Sequence, residues 1–152
     1  MRPFLRKPGA RKSGLTILGL AIAIQFWPAS RTNPPVTADL QAPSDVQAIL
    51  RRSCYDCHSH ETRWPWYSAI APVSWFVARD VNSARKELDF SRWGEYSAKK
   101  RRSKSDSLLD EVQEGKMPPA SYVRTHSASA IAPADLEILR RWVEAPGGTG
   151  TR

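Results

Sequence analysis

The sequence predicts an all-α domain, because apolar residues recur at helical spacing in four stretches and strand-like alternation is scarce. At 152 residues the chain fits one small domain with appendages. We divide it into a basic N-terminus with an apolar helix (1–30), a proline-containing tether (31–43), a helical domain (44–145) and a flexible tail (146–152). No internal repeat is evident.

The N-terminus holds much of the positive charge. The first thirty residues carry five basic residues and no acidic one, whereas the rest has 18 basic and 15 acidic residues. The body is therefore only mildly basic and gives no reason to expect nucleic acid as a partner. An apolar run, Leu15 to Trp27, follows the basic residues.

As a helix, this apolar run would span about 20 Å, short of the roughly 30 Å hydrocarbon core of a bilayer, which favours a signal peptide. Cleavage after Ala29 or Ser30 would place Trp27 or Pro28 where a small residue is needed, which favours an uncleaved anchor. We expect the anchor and leave the cleaved signal open. Both place the domain outside the cytoplasm, because the arginines stay inside.

The domain begins with two predicted helices separated by an aromatic segment. Ser44 is an expected N-cap with Asp45 in the first turn, and Val46, Leu50, Cys54 and Cys57 recur at helical spacing. The stretch 62–72 has too many prolines for one helix. A second helix follows from Pro72, and its inner stripe is Val73, Phe76, Val77, Val81, Ala84 and Leu88.

Two further helices complete the predicted domain. The third lies between Tyr96 and Glu114 and ends at Gly115 as the C′ residue, with an apolar face of Leu108, Leu109 and Val112. The fourth begins near Pro133 and stops at Pro146, and its inner face holds Leu136, Leu139, Trp142 and Val143.

The two cysteines of the chain form one motif, Cys54-Tyr55-Asp56-Cys57-His58. Cys-x-x-Cys-His is the attachment signature of a c-type haem. Cysteines at i and i+3 lie on one side of a helical turn, where two thioether bonds can reach the two vinyl groups of one porphyrin. His58 is then the proximal iron ligand, and a haem would fill a core that so few helices cannot close alone.

Three other interpretations of the motif remain open. A thioredoxin-like dithiol needs a strand-to-helix setting that this chain does not predict. A zinc site would draw Cys54, Cys57, His58 and His60 from seven residues, a cramped arrangement for four ligands. A disulfide between the two cysteines would close a very short loop.

Met117, in Gly115-Lys116-Met117-Pro118-Pro119, is the expected ligand on the opposite face of the iron. It sits in a loop just after a helix and before two prolines, and ligation by methionine and histidine raises the reduction potential. The alternative is a gap-filling apolar residue. His126 and His60 compete for the same position, although His60 is only two residues from His58.

Two further groups of residues allow a functional and a structural interpretation. Five tryptophans either line a haem pocket or supply the apolar bulk of the core: Trp64, Trp66, Trp75, Trp93 and Trp142. The basic run docks an acidic redox partner or is a solvated helix face: Lys99, Lys100, Arg101, Arg102 and Lys104.

The chain closely resembles the bacterial haem-binding domain family of small monohaem proteins related to cytochrome c. The resemblance extends over about residues 25–143 and rests on Arg31-Thr32-Asn33-Pro34-Pro35, Cys54-Tyr55-Asp56-Cys57-His58-Ser59, Glu61-Thr62-Arg63-Trp64-Pro65-Trp66-Tyr67, Ala71-Pro72-Val73-Ser74-Trp75, Arg79-Asp80-Val81 and Met117-Pro118-Pro119. It implies a cytochrome c-like helical domain around one haem c, attached through Cys54 and Cys57, with His58 proximal and Met117 distal. Ala120-Ser121 depart from the aromatic residues expected after the double proline, and Tyr122 follows.

These observations predict a membrane-tethered periplasmic cytochrome that passes single electrons between redox protein partners. No nucleophile, base and orienting residue form a catalytic set, and no paired carboxylates lie beside the motif, so we expect a carrier rather than an enzyme. The rival hypothesis is a peroxidase-like haem enzyme or a gas sensor whose distal position is open or displaceable.

Overall fold

The computed structural model describes residues 8–145 and the side chains from residue 13, and this part of the chain is helical without strands. The all-α prediction is confirmed. The seven α-helices are α1 (Pro8–Ala23), α2 (Ser44–Ser53), α3 (Tyr55–His58), α4 (Val73–Glu87), α5 (Ala98–Gln113), α6 (Ala120–Thr125) and α7 (Pro133–Glu144). Short 3₁₀ helices lie at Ile24–Phe26, Trp66–Ala69, Phe90–Glu95 and Ser127–Ser129.

The chain divides into two compact units, and the first takes Met1–Arg31 and Pro65–Arg79. Within it, the side-chain amide of Gln25 donates to the carbonyl of Ala71 and accepts from its N–H, both at 3.0 Å. The indole N–H of Trp75 donates to the carbonyl of Trp27 at 2.8 Å. These three hydrogen bonds hold the end of the N-terminal helical segment against residues 71–75.

The predicted N-terminal helix is present as α1, and its apolar side chains are exposed. Among the residues that the structure describes, no helix is both long enough and apolar enough to cross a membrane. The 16 residues of α1 span about 24 Å, less than the roughly 30 Å hydrocarbon core. The expectation of a spanning anchor is therefore not supported by the structure.

The second unit takes Thr32–Trp64 and Asp80–Arg152 and contains the hydrophobic core. Helices α2, α5 and α7 pack together there, and the predicted inner faces of α5 and α7 are buried, except that Leu136 is only partly so. The innermost apolar side chains, which are fully excluded from solvent, are Leu40, Leu50, Phe90 and Leu139. Pro133 begins α7, and Asp135 accepts a hydrogen bond from the N–H of Ala132 at 2.9 Å.

Two of the predicted helices differ in the structure. The first helix was expected to continue through Cys57, but it is interrupted at Cys54, whose φ of −127° is not helical, so α2 and α3 are separate. Pro43 is the N-cap of α2, and Ser44 is its first residue. The stripe of α4 is buried only towards its end: Val73 and Phe76 are 42% and 56% exposed. Periodicity identified one face of this helix but not how far along it the packing extends.

The segment 32–43 is extended, and it is packed within the second unit instead of running free. Leu40 is in the core, and its N–H donates to the carbonyl of Phe90 at 3.0 Å. The N–H groups of Thr37 and Ala38 donate to the carbonyl of Ser91. The tail predicted for residues 146–152 lies outside the described part of the chain.

Helix α5 ends in the Schellman geometry that Gly115 predicts. Gly115 has a φ of 68°. Its N–H donates to the carbonyl of Val112 at 3.1 Å, and the N–H of Lys116 donates to that of Glu111 at 3.0 Å. Ser97 caps the start of the helix by accepting from the N–H of Lys100. The C-terminal cap determines the direction in which the chain leaves α5 towards Met117.

We expect Gly115→Ala to lower the free energy of unfolding by about 1 kcal/mol, because the Cβ of alanine is strained in the left-handed backbone conformation that glycine adopts freely. Gly115→Asn is the matched control, and its free energy of unfolding should fall by less, since asparagine tolerates this conformation. Urea denaturation of the three chains measures the difference. Equal stability of the alanine variant and the parent chain would contradict the role given to this cap.

Candidate haem site

The Cys-x-x-Cys-His motif forms one tight turn at α3. The N–H groups of Cys57 and His58 both donate to the carbonyl of Cys54, at 3.1 and 2.9 Å. Both cysteines are free thiols and half-buried. A single turn thus presents two thiols and, one residue further, an imidazole.

His58 is fixed by the end of α4. Its Nδ1 lies 3.1 Å from the carbonyl oxygen of Ala84 and 3.0 Å from that of Leu88. Both partners are acceptors, so Nδ1 carries the hydrogen and the lone pair belongs to Nε2. Burial lowers the pKa of His58, which keeps the ring neutral. A neutral imidazole whose other nitrogen donates to a carbonyl is the state in which histidine binds a metal.

Aromatic packing completes the orientation of this ring. The edge of His58 faces Phe90, with the ring centres 6.3 Å apart and the planes at 68°. Phe90 in turn stacks on Tyr55 of the motif, at 5.0 Å and 8°. The hydroxyl of Tyr55 donates to Asp39 at 3.0 Å. These contacts connect the motif to the core.

The environment of the thiols distinguishes between the interpretations of the motif. Burial raises the pKa of Cys54 to about 12 and that of Cys57 to about 11, with further repulsion from Cys57 and from Asp56, respectively. A reactive dithiol needs a thiolate, which nearby positive charge favours. Within residues 8–145, no group of three or more His, Cys, Asp or Glu residues is placed to hold a metal ion. The surroundings favour neutral thiols.

Neither nitrogen of His60 is available to iron. Its Nε2 lies 2.8 Å from the carboxylate of Asp89, and its Nδ1 lies 2.8 Å from the carbonyl of Pro35. The His60–Asp89 pair is buried, and the backbone N–H of His60 donates to the hydroxyl of Ser91 at 2.8 Å. His60 therefore holds the loop after the motif in place.

Met117 lies in the loop between α5 and α6 and is 38% exposed. Five residues further on, the hydroxyl of Tyr122 donates to the carboxylate of Asp56 at 2.6 Å, so the start of α6 lies close to the motif. His126, the other competitor, ends α6; its Nδ1 lies 3.0 Å from the hydroxyl of Thr125. The loop that carries Met117 is thus connected to the motif through α6.

Together these residues fit a covalently attached haem. Two neutral thiols in one turn suit addition to vinyl groups, His58 offers a free Nε2, and a thioether is available from an adjoining loop. The donor set is one nitrogen and one sulfur for iron and two thiols for the porphyrin edge.

The sequence did not single out Arg85, which joins the loop after the motif to the segment before α2. Its Nε donates to the carbonyl of Ser59 at 2.8 Å, and its Nη1 donates to that of Thr32 at 2.9 Å. Its Nη2 donates to Asn33 and Thr62 at 3.0 and 2.9 Å. The five donors of arginine make such a junction possible. Asp56 and Tyr122 were also missed, because their contact joins distant parts of the chain.

The tryptophans divide between core and surface. Trp93 and Trp142 are buried in the core, whereas Trp66 is 78% exposed. Trp64 and Trp75 are half-buried, and the indole N–H of Trp64 donates to Asn33 at 3.2 Å. The core interpretation thus holds for two of the five.

A helical domain that presents two free thiols and, in the same turn, a histidine with a free Nε2 has the features of a haem-binding protein. The chain belongs to the haem-binding domain family, whose model matches residues 19–145. No curated protein and no solved structure matches it.

We expect Arg85→Lys to lower the free energy of unfolding by about 2 kcal/mol, because lysine cannot reproduce the four hydrogen bonds of the guanidinium. The adjacent Lys86 is exposed, and Lys86→Ala is the matched control, expected to stay within about 0.5 kcal/mol of the parent. Chemical denaturation measures both. If the two variants are equally stable, Arg85 does not have this role.

Proposed function

We propose that the protein carries one haem c, bound covalently through Cys54 and Cys57, and passes single electrons between redox partners. The observation that carries the proposal is the position of His58: Nδ1 donates to two carbonyls, and Nε2 is left to bind iron one residue after the two thiols. Haem, when bound, supplies a one-electron redox couple.

The attachment chemistry needs only the thiols of the chain. Each S–H adds across one vinyl C=C of the porphyrin: sulfur bonds to the carbon next to the ring, and the hydrogen goes to the terminal carbon. No electrons are lost or gained, so the two cysteines must arrive as free thiols, as they are in the structure.

The two ligand side chains have separate tasks. His58 holds the proximal position at the end of α4 in one orientation. Met117 is the proposed distal ligand, and a thioether in this position stabilises ferrous over ferric iron and raises the reduction potential. Met117 is 38% exposed, and this observation favours the rival function of a haem enzyme or gas sensor, since a displaceable ligand would admit peroxide or a gas.

The first unit supports attachment to the periplasmic face of the inner membrane. Its residues 1–31 and 65–79 include seven basic residues and no acidic one. Its exposed apolar side chains are Leu15, Ile17, Leu18, Leu20, Ile22, Phe26, Trp27, Trp66, Ile70, Val73 and Phe76. Basic and apolar residues without acids are the composition of segments that bind the surface of anionic bilayers. Cleavage as a signal peptide would leave the domain free in the periplasm.

The basic run of α5 is a weaker indication for a protein partner. Lys100 lies over the ring of Tyr96 at 4.2 Å, Arg102 pairs with Asp106 at 3.2 Å, and Lys104 lies 3.8 Å from Glu87. Contacts within the domain therefore engage part of this charge. An acidic redox partner that docks here would associate more slowly as salt is added.

Covalent attachment is tested by producing the chain with haem c maturation machinery, denaturing it and extracting with acidified organic solvent. We expect haem absorption to remain with the polypeptide. Cys54→Ala and Cys57→Ala each keep one thioether bond and are mutual controls, whereas the double variant releases all haem. Complete extraction from the parent chain would refute the proposal.

The distal ligand is tested by Met117→Leu, which keeps the volume and removes the sulfur. We expect an altered ferric spectrum and a lower potential, while His126→Ala changes neither. An unchanged spectrum in the leucine variant would remove Met117 from the ligand set. The carrier resists cyanide and carbon monoxide, so rapid binding together with peroxide turnover in the parent chain would favour the rival enzyme or sensor.

A further inference from the structure

Two competing ligands lie on either side of one short helix. Met117 precedes α6 by three residues, and His126 immediately follows it. Helix α6 has six residues, and none of them is buried. Apolar packing therefore contributes little to its position, and polar contacts gain in importance.

Tyr122 makes contacts in both directions. Its hydroxyl donates to Asp56, which lies between the two cysteines, at 2.6 Å, and a bond to a carboxylate is among the stronger hydrogen bonds. Asp56 also accepts from the N–H of Arg63 at 3.1 Å, which fixes the carboxylate. The ring of Tyr122 stacks on His126, with the centres 4.3 Å apart and the planes at 16°.

The same contacts restrain His126. Its Nδ1 lies 3.3 Å from the carbonyl of Tyr122 and 3.0 Å from the hydroxyl of Thr125, while one face of the ring is covered. Tyr122 therefore links α6 to the motif through Asp56 and to the ring of His126.

We propose that Tyr122 is a positioning residue that decides which side chain takes the sixth position on iron. Bound to Asp56, it holds α6 beside the attachment turn, keeps Met117 within reach and keeps His126 stacked away. This inference rests on the haem-binding function proposed above. Exchange of methionine for histidine would replace a soft thioether by imidazole and lower the potential.

The test uses the full chain with haem attached. Tyr122→Phe keeps the ring and its stack on His126 but removes the bond to Asp56. We expect the rate of cyanide binding to rise about 10- to 100-fold, the factor that corresponds to one lost hydrogen bond to a charged group. Tyr122→Ala also removes the stack, and we expect loss of the methionine methyl signal at high field in the proton NMR spectrum, with a lower potential.

Two controls separate positioning from a loss of fold. Val123→Ala truncates a half-buried neighbour on α6 and should leave ligand signals and cyanide rate unchanged. Tyr122→Ala combined with His126→Ala should recover part of the potential lost in Tyr122→Ala, which a merely destabilised protein would not do. Melting temperatures are recorded for every variant.

The outcomes distinguish the two levels of the proposal. A parent chain without methionine ligation overturns both the distal assignment and the positioning role. A parent chain with methionine ligation, together with a Tyr122→Ala variant that keeps its methyl signal, potential and cyanide rate, overturns the positioning role alone.

Discussion

The paired hydrogen bonds from His58 to the carbonyls of Ala84 and Leu88 are the constraint on which the site depends. Helix α4 ends at Glu87, so the carbonyl of Leu88 lies just beyond the helix. It is not used by a helical hydrogen bond and can accept from His58. A helix that continued for one more turn would use this carbonyl itself. The point at which α4 ends therefore determines the tautomer of a histidine 30 residues earlier in the chain.

The same end of α4 organises the polar structure around the motif. The guanidinium of Arg85, next to Ala84, donates to the carbonyl of Ser59, the residue that follows His58, and the carboxylate of Asp89 pairs with His60. Ligand orientation and loop position thus come from six consecutive residues. A shift of this end of the helix would disturb the histidine and the surrounding loop together, which links the stability of the second unit to the geometry of the proposed iron ligand.

Sequence patterns predicted the elements better than the connections between them. The C-terminus of α5 and the start of α7 could be predicted, because Gly115 and Pro133 act through the local backbone. The break at Cys54 could not, since its side chain fits the helical spacing on either side. Contacts of Arg85 and Tyr122 join residues that are far apart in sequence, and such pairs leave no periodic signal. The Cys-x-x-Cys-His motif was recognisable because the short spacing of its residues is itself the signature.

Because α6 has no buried residue, the side of the site formed by α6 should open at a lower free-energy cost than the side formed by His58. Separating α6 from the domain exposes little apolar surface, whereas moving His58 disturbs Phe90 and the core behind it. Local unfolding therefore costs little free energy on the side of α6 and more on the side of His58. In the proposed haem protein, small molecules would reach the iron by fraying of this one short helix while the rest of the domain stays folded.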